Sequence, residues 1–476
     1  MSSGSSTAVL AFEDRQWRLS DLDELAGDLA AVLAADGVSA GDRVVLMSSN
    51  RPEFVIAVRA VWRLGAIVAL ISPAWKRDEV AHALALVQPR YALGDQPVLA
   101  ELMPMRHLDD VLAEIPAGTF EADPPPAGSD ALLVFSSGTT GLPKAVRHTH
   151  ASLAAAVRHW RDALGLTAAD RIQVATPPSH ILGLLNILTA LSVGAWVRLR
   201  RRFDIDTMLQ SIGSDKITVE MAVAPIALAI AAHPDLESFD LSSLRFIMWG
   251  ATPVAAAVAD TITRRTGVPV VPAYGTSELP VIACNPLSAA RLDDAVPDTV
   301  GRPVPGVQLQ VVDVETGEQL TAGVPGEILA RSDSLMAGYL PASATAEVVR
   351  DGWFHTGDVG YLDGGGWLRI TDRCKEMIKV RGFQVAPAEI EAVLHEHPAV
   401  ADCGVFGVPD ERDGEAVVAA VALRAPVSAD ELCALVSDRL ASYKRLRRVV
   451  VVPEIPRLPS GKLLRRLLKE RLWMSG

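Results

Sequence analysis

A nine-residue segment made mainly of hydroxyl-bearing and glycine residues and ending in a lysine carries the strongest chemical signal in this sequence. It directly follows the apolar run 131–135, which is typical of a buried strand. Backbone N–H groups and hydroxyls at the end of a strand can surround phosphate oxygens, and a lysine adds a cation. The order differs from the G-x-x-x-x-G-K-[ST] of a Walker A loop. We therefore predict a phosphate-binding loop of another type, with a flexible turn as the alternative, at Ser136, Ser137, Gly138, Thr139, Thr140, Gly141, Leu142, Pro143 and Lys144.

Four more short motifs follow this segment along the chain. They are Y-G-T-S-E at 274–278, T-G-D at 356–358, D-R-C-K at 372–375 and P-S-G-K at 459–462. Each is a weak signal alone, but together with the first segment they resemble the AMP-forming acyl- and aryl-CoA ligases. This family belongs to the adenylate-forming superfamily, with luciferases and peptide-synthetase adenylation domains. The resemblance extends over nearly the whole chain, and Q-V-A-P-A-E at 384–389 resembles the 4-coumarate–CoA ligase branch and its bacterial fatty-acyl relatives.

The resemblance implies a binding site for ATP and Mg²⁺. Thr276 would contact the α-phosphate, and Glu278 would hold the metal, which prefers a hard carboxylate oxygen. Tyr274 would stack near adenine, and Asp358 with Arg373 would bind the ribose hydroxyls. A helix-capping role is the alternative for Glu278. The implied cofactor-binding set also includes Gly250, Ala251 and Gly275.

The resemblance also implies two half-reactions. A carboxylate first attacks the α-phosphorus of ATP, which gives an acyl-adenylate and pyrophosphate, and the thiol of CoA then displaces AMP. Lys462 would serve the first step, although an exposed cation in a basic tail is the alternative. Rotation about a hinge at Lys375 would turn another face of the small domain inward for the second step. That face would carry Lys379, Gln384 and Gly382, which has no side chain where a pantetheine arm would pass close to the backbone.

Three residues would border the acyl group: His180, Trp249 and Gly275. His180 would lie between ATP and the acyl pocket, which adds it to the catalytic residues; a hydrogen-bonded core histidine is the alternative. Most relatives have a small residue where this chain has Trp249, so an indole there would shorten the pocket and disfavour very long linear acids. The alternative is a Trp249 that faces the core and leaves the pocket unchanged.

The elements that would position these residues alternate between helix and strand. Apolar spacing predicts a helix that is capped by Ser20 and ends at Gly37, a strand at 43–48, a helix at 53–64 and a strand at 67–71. This alternation favours a parallel sheet in an α/β domain. After Ala386, a helix beginning with Pro387, two strands, a helix capped by Ser428 and a last strand predict a small α+β unit. We therefore expect a large multi-layer N-terminal domain, 1–372, and a small mobile C-terminal domain, 373–476.

Composition limits the compartment and the partners. The 476 residues carry a formal net charge of −12, and 49% are hydrophobic, which excludes a disordered chain and makes nucleic acid an unfavourable partner. The four cysteines are widely spaced, the N-terminus lacks a signal-peptide pattern, and polar residues interrupt the apolar stretch 181–197. These features predict a cytoplasmic protein without a transmembrane segment. Residues 439–471 contain eleven basic and two acidic residues, either as a solvated face or as a surface that receives the phosphates of CoA.

The leading prediction is an AMP-forming acid–CoA ligase that acts on a fatty or aryl-alkyl acid. The second is a stand-alone adenylating enzyme that loads an acyl carrier protein instead of CoA. The third is a nucleotide-binding protein without catalysis, which the intact Lys462, Glu278, Asp358 and Arg373 disfavour.

Overall fold

The computed structural model describes residues 8–110, 120, 122–136, 143–250, 256–287, 299–373, 376–380, 383–410, 412–440, 444–457 and 463–473. The chain divides into two compact units, one of Met1–Gln308 with Ala330–Phe354 and one of Leu309–Leu329 with His355–Gly476. Both units mix helices and strands, and the first is much larger, which confirms the predicted α/β class. The predicted domain boundary at 372 and the mobility of the small domain stay predictions.

Strands supply the framework of both units. Within the described residues they are β1 (Val9–Phe12), β2 (Arg15–Arg18), β3 (Arg43–Met47), β4 (Ile67–Leu70), β5 (Tyr91–Gly94), β6 (Arg106–His107), β7 (Asp130–Ser136), β8 (Lys144–Thr149), β9 (Arg171–Val174), β10 (Trp196–Leu199), β11 (Val219–Ala222), β12 (Phe246–Trp249), β13 (Val270–Tyr274), β14 (Ala283–Cys284), β15 (Arg302–Pro303), β16 (Gln308–Val312), β17 (Gly326–Arg331), β18 (Gly338–Leu340), β19 (Val349–Arg350), β20 (Trp353–Leu362), β21 (Leu368–Arg373), β22 (Ile378–Val380), β23 (Phe383–Val385), β24 (Val400–Asp410), β25 (Gly414–Leu423) and β26 (Leu446–Val451).

Helices cover the sheets. In the same part of the chain they are α1 (Leu19–Ala35), α2 (Pro52–Arg63), α3 (Arg77–Val87), α4 (Pro97–Ala100), α5 (His150–Ala163), α6 (Ile181–Ser192), α7 (Ile205–Asp215), α8 (Ala224–Ala232), α9 (Ala256–Thr266), α10 (Thr345–Val348), α11 (Pro387–His395), α12 (Ala429–Arg439) and α13 (Arg465–Leu472).

Two sheets form the first unit. The described strands of one follow the order β15-β14-β13-β12-β11-β9-β10-β1-β2, and those of the other follow β18-β8-β7-β4-β3-β5-β6. Parallel pairing joins β5, β3, β4 and β7 in one sheet and β10, β9, β11, β12 and β13 in the other. The parallel sheet predicted from the alternating pattern is confirmed. The carboxyl ends of parallel strands form the edge where ligands bind in open α/β sheets.

Helix α1 begins earlier than its predicted cap. Arg18 is the N-cap, and its N–H donates to the Asp21 carboxylate at 2.9 Å, whereas Ser20 lies inside the first turn. The prediction that Ser20 caps this helix is wrong. The Asp21 carboxylate binds the Arg18 N–H group, so the first turn begins before Ser20. Gly37 follows the helix with φ 85°, a left-handed conformation that glycine adopts without strain, so the predicted end is confirmed.

The apolar stretch 181–197 forms α6 and the first residues of β10 in the interior of the first unit. Its Asn186 Oδ1 accepts a hydrogen bond from buried Trp160 Nε1 at 2.8 Å. No helix in the described ranges is both long enough and apolar enough to span a membrane.

The second unit contains the predicted small α+β fold. In the described residues, one sheet has the order β23-β22-β25-β24 with β26 beside β25, and a second joins β16, β17, β20 and β21, whose residues lie mostly in this unit. Helix α11 begins with Pro387 as predicted, and Ser428 Oγ accepts from Glu431 N–H at 3.1 Å to cap α12. Apolar side chains from β22, β24 and β25 pack with those of α11 and α12 in one core.

Much of the basic tail is engaged in ion pairs inside this unit. Lys444 Nζ lies 2.6 Å from Glu389, Arg457 lies 2.7 Å from Asp402, and Arg465 lies 2.8 Å from Glu391. Fewer cations are therefore exposed to a ligand than the sequence suggested. On β26 the exposed ones are Arg447 and Arg448. The ion-paired cations therefore stabilise this unit, and a contact with the phosphates of CoA stays a prediction for the exposed ones.

Glu220 is a fully buried carboxyl on β11. Its Oε2 accepts from Gln173 Nε2 at 2.9 Å, and Gln173 Oε1 accepts from Arg200 Nε at 3.0 Å. The other oxygen, Oε1, is buried with no hydrogen-bond partner among the described residues. Burial raises the pKa of Glu220 to about 8, against the smaller lowering by Gln173 and by the charge of Arg200. The carboxyl is therefore mostly protonated in the folded protein at neutral pH.

We expect Glu220→Gln to remove a destabilisation of the folded protein that increases with pH. An unfolded glutamate ionises near pH 4.5 and the folded one near pH 8, so the parent loses stability as the pH rises through this window. The amide has the same size, can accept from Gln173 and does not ionise. Between pH 5.5 and 8 the variant should gain roughly 3 kcal/mol relative to the parent. Thermal unfolding of both proteins at the two pH values measures this gain, and an identical difference in Tm at both would contradict it.

Candidate active site

The two ends of the hydroxyl-rich segment lie side by side. Ser136 ends β7, Lys144 begins β8, and the two residues are a cross-strand pair in the antiparallel register. Lys144 Nζ lies 3.2 Å from Glu347 Oε2 and 5.4 Å from the centre of the Tyr339 ring. The ammonium group of Lys144 therefore lies at the start of β8, where the segment ends. The other predicted phosphate-binding residues lie outside the described residues: Ser137, Gly138, Thr139, Thr140 and Gly141.

A tight turn follows Tyr274 at the carboxyl end of β13. Gly275 packs against the chain after it, since a Cβ on Gly275 would lie 2.0 Å from the Pro280 carbonyl oxygen. Thr276 N–H donates to the Leu279 carbonyl at 3.0 Å, and the Thr276 hydroxyl accepts from Leu279 N–H at 3.0 Å. Because this hydroxyl accepts one bond within the turn, its own proton is available to an anionic oxygen. This geometry suits the predicted contact with a phosphate.

Glu278 lies in the same turn and is 9% exposed. Tyr339 O–H donates to Glu278 Oε1 at 2.7 Å, and Met336 N–H donates to the Glu278 carbonyl at 2.8 Å. Oε2 has no hydrogen-bond partner in the described part of the chain. Residues 275–282 belong to no helix or strand, so the helix-capping alternative for Glu278 has no helix to cap here.

The Glu278 carboxylate has the chemistry that a magnesium ion requires. Mg²⁺ prefers hard oxygen ligands, keeps several waters and is usually held by one or two carboxylates plus substrate phosphates. The described residues contain no group of three or more His, Cys, Asp or Glu arranged to hold a metal. A single carboxylate such as that of Glu278 suits a metal that arrives with the phosphates of ATP.

His148 holds the backbone beside Glu278. It is fully buried on β8, its Nε2–H donates to the Ser277 carbonyl at 2.8 Å, and its Nδ1 lies 3.3 Å from Ser152 Oγ. Burial lowers the pKa of His148 to about 4, against the opposing effect of the Ser277 hydrogen bond. The ring is therefore neutral at physiological pH, and its one proton lies on the nitrogen that supports the turn.

Trp249 is packed in the core. It is 1% exposed and belongs to the apolar cluster between the nine-stranded sheet and helices α7, α8 and α9, with Ala222 directly beside it on β11. Side chains alternate along a strand, so Met248 and Gly250 are directed to the opposite face. The structure thus favours the core-facing alternative, because the indole fills the space between the sheet and the helices instead of narrowing a pocket.

Gly250 lies beside apolar neighbours on that opposite face. A Cβ there would lie 3.3 Å from Met248 Sδ, 3.6 Å from Leu182 Cδ2 and 3.8 Å from the Ala273 carbonyl. Gly250 is therefore next to the first turn of α6 and to the end of β13, which leads into the turn after Tyr274. Ala251 lies outside the described residues.

His180 is the N-cap residue of α6 and is solvent-exposed. This exposure contradicts the core-histidine alternative. Protein atoms around the ring lower its pKa by desolvation, so the imidazole is neutral near pH 7. Its own loop also contains two buried hydroxyls, Thr176 Oγ1 and Ser179 Oγ, which have no hydrogen-bond partner within the described ranges.

In the second unit, the two predicted ribose-binding residues come together. Asp358 on β20 and Arg373 on β21 are directly opposed in the antiparallel register, and Asp358 is buried. Gly357 has φ 69°, and its N–H donates to Glu327 Oε1 at 3.3 Å. Glu327 Oε2 lies 2.9 Å from His355 Nδ1. Glu327 therefore fixes two of the three residues before Asp358, His355 and Gly357.

Lys379 and Gln384 are paired in the antiparallel backbone register of β22 and β23. Two of the three residues predicted for the thioester-forming face thus lie together, while Gly382 lies between them outside the described residues. The hinge residue Lys375 and the adenylation lysine Lys462 also lie outside the described residues, and their roles stay predictions.

Sequence reasoning missed three supporting residues, His148, Glu327 and Tyr339. Each acts on a motif residue that is distant in the chain: Tyr339 reaches Glu278 over 61 positions, and His148 reaches Ser277 over 129 positions. The glycine before Tyr339 could have indicated a fixed backbone position. Spacing along the sequence could not predict that the Tyr339 hydroxyl binds Glu278.

Comparisons with known proteins identify the family of this chain. Residues 2–340 match the model of the AMP-binding enzyme family, and residues 389–462 match that of the AMP-binding enzyme C-terminal domain. The chain is 34% identical to 4-coumarate:CoA ligase 1 of Petunia hybrida over 486 residues, which cover 95% of this chain and 88% of that protein. ATP-bound MatB from Rhodopseudomonas palustris has a TM-score of 0.91 at 26% identity and covers 98% of this chain and 96% of its own.

A second solved structure is O-succinylbenzoate coenzyme A synthetase (MenE) from Bacillus subtilis in complex with ATP and a magnesium ion. Its TM-score is 0.87 at 30% identity, with 97% of this chain and 96% of that chain covered. ATP, Mg²⁺ and CoA are thus the cosubstrates and metal of this chemistry, as predicted. The chain belongs to the AMP-binding enzyme family and is an AMP-forming acid–CoA ligase of the adenylate-forming superfamily.

Proposed function

We propose that this ligase activates a fatty or aryl-alkyl carboxylic acid and transfers its acyl group to CoA. The observation that carries the substrate class is the apolar surroundings of Gly250, where Met248 and Leu182 are the nearest side chains. An apolar pocket gains binding energy from each buried methylene or ring carbon, which favours acids with a hydrocarbon body. The name of the petunia relative refers to an acid that contains an aromatic ring, in line with this choice.

In the first half-reaction the acid carboxylate attacks the α-phosphorus of ATP, and the bond to pyrophosphate breaks. The attack brings two anionic groups together, so the site must neutralise charge that develops on the phosphate oxygens. The Thr276 hydroxyl proton, the Lys144 ammonium and Lys462 would supply this stabilisation. Glu278 would hold Mg²⁺, which would supply positive charge to the phosphate oxygens without a proton transfer.

In the second half-reaction the CoA thiolate attacks the acyl carbonyl, and the bond from that carbon to the oxygen of AMP breaks. Lys379, Gly382 and Gln384 would border the pantetheine arm in this step. His180 would lie between the nucleotide and the acyl group; since its imidazole is neutral, it can donate a hydrogen bond without adding charge.

A pyrophosphate-release assay with a panel of acids tests the proposal. We expect the highest kcat/KM with medium-chain fatty acids or aryl-alkyl acids and at least tenfold less with acetate, because a short acid leaves the apolar surface unused. Product analysis with CoA should show the matching thioester. A preference for small or dicarboxylic acids would contradict the substrate class. Efficient acylation of a pantetheinyl carrier protein with little CoA turnover would support the carrier-loading alternative instead.

The compartment is part of the same proposal. Cys284 and Cys403 are buried free thiols, and burial raises the pKa of Cys284 to about 12. Such thiols are inert structural residues, as expected for a protein of the reducing cytoplasm.

A further inference from the structure

We propose that Tyr339 is a positioning residue for the adenylation step, which holds Glu278 so that its Oε2 meets the magnesium ion bound to ATP. The inference rests on the proposed role of Glu278 as the metal carboxylate. Tyr339 belongs to none of the motifs that identify the chemistry, and its contacts are what single it out.

The first observation is the asymmetry of the Glu278 carboxylate. The phenol donates to Oε1 at 2.7 Å, whereas Oε2 has no hydrogen-bond partner among the residues that the structure describes. Both residues are almost buried, at 6% exposure for Tyr339 and 9% for Glu278. A hydrogen bond to an ionised acceptor is strong in such surroundings. It therefore fixes the rotation of the carboxylate and determines which oxygen is presented to a cation.

The second observation is the rigid support of Tyr339 itself. Its N–H donates to Thr345 Oγ1 at 2.9 Å, and β18 pairs with β8 so that Tyr339 lies opposite Val146. Gly338 has φ 136°, and a Cβ there would lie 2.8 Å from Thr345 Oγ1. The phenol is thus carried by a backbone that has little freedom to follow a movement of Glu278.

The third observation is that the same ring contacts the end of the phosphate-binding segment. Lys144 Nζ lies 5.4 Å from the centre of the Tyr339 ring, within the range of a cation–π interaction. One side chain therefore contacts both the proposed metal carboxylate, through its hydroxyl, and the loop lysine, through its ring face. Removing the hydroxyl separates these two contacts, because phenylalanine retains the ring.

The test compares Tyr339→Phe with the parent by calorimetric titration of ATP, with magnesium and with EDTA, and of AMP. We expect Tyr339→Phe to bind ATP with magnesium about tenfold more weakly, since it loses a hydrogen bond to a charged group. Binding of AMP, and of ATP with EDTA, should stay within twofold of the parent, and so should thioester formation from a supplied acyl-adenylate. The magnesium concentration for half-maximal pyrophosphate release should rise by a similar factor.

Tyr91→Phe is the matched control. Its hydroxyl donates to Asp36 Oδ2 at 2.6 Å, so it also loses a tyrosine–carboxylate hydrogen bond, but at an exposed site elsewhere in the first unit. We expect no change in binding of ATP with magnesium. Unchanged binding in Tyr339→Phe, or an equal loss for AMP and for ATP with and without magnesium, would overturn the inference.

Glu278→Gln separates this inference from the proposed function. If Glu278→Gln weakens binding of ATP with magnesium and Tyr339→Phe does not, only the positioning role fails. If Glu278→Gln also leaves that binding unchanged, the metal role proposed for Glu278 fails, and the inference about Tyr339 falls with it.

Discussion

A Lys462→Ala variant is expected to lose adenylate formation and to keep thioester formation from a supplied acyl-adenylate. An ammonium group aimed at the reacting phosphate stabilises charge that develops in the transition state, and the loss of one such group costs about 10²–10³-fold in rate. Transfer to CoA starts from the finished adenylate, so it does not need this charge. Pyrophosphate release measures the first half-reaction, and thioester formation from synthetic acyl-AMP measures the second.

Gly382→Leu should have the reverse effect, because a bulky side chain would obstruct the pantetheine arm without touching the phosphates. Lys469→Ala is the control for the basic-tail alternative: this lysine lies in α13, 4.0 Å from Glu415, and should leave both half-reactions unchanged. An equal loss of both half-reactions in Lys462→Ala and Gly382→Leu would contradict the domain-rotation account. A Lys469→Ala loss as large as that of Lys462→Ala would support the basic-tail reading.

The parts of the fold that could be predicted from the sequence are those with local causes. Apolar spacing within the segment itself predicts the run 131–135, the helix before Gly37 and the strands 43–48 and 67–71. Ser428 likewise predicts the start of α12, which it caps. The motif Y-G-T-S-E at 274–278 is also local, so the resemblance it carries implies roles for Thr276 and Glu278 without knowledge of the turn that holds them.

The features that could not be predicted depend on pairs that are distant in the chain. The hydrogen bond from Tyr339 to Glu278 exists because β18 pairs with β8, and no local pattern specifies that register. The buried Glu220 looks like an ordinary charged residue until Gln173 on β9 is placed next to it. The Ser20 cap was wrong because the helix already begins after Arg18, whose N–H donates to the Asp21 carboxylate, and spacing alone did not show where the first turn starts.

The orientation of Trp249 also illustrates this limit. A four-residue strand that is buried along its whole length shows no alternation of apolar and polar residues, so the sequence left both faces open. The helices α7, α8 and α9 decide the matter, because the cluster they form with the sheet includes the indole. Because the indole lies in the core, we expect a substitution of Trp249 to change the stability of the protein and not the length of the preferred acid.

Trp249→Ala is therefore expected to destabilise the protein and to leave the chain-length profile unchanged. Truncating a buried tryptophan removes its contacts and leaves a cavity, which costs about 3–5 kcal/mol. For a domain of this size the Tm should fall by roughly 5 °C. Met248→Ala makes the matched comparison, since Met248 is equally buried but lies on the side of Gly250. It should shift the preference toward longer acids by about tenfold, as the space for one or two methylenes would allow. Tm and kcat/KM for acids of increasing length measure both effects, and a longer optimum in Trp249→Ala with an unchanged Tm would show that the indole lines the pocket after all.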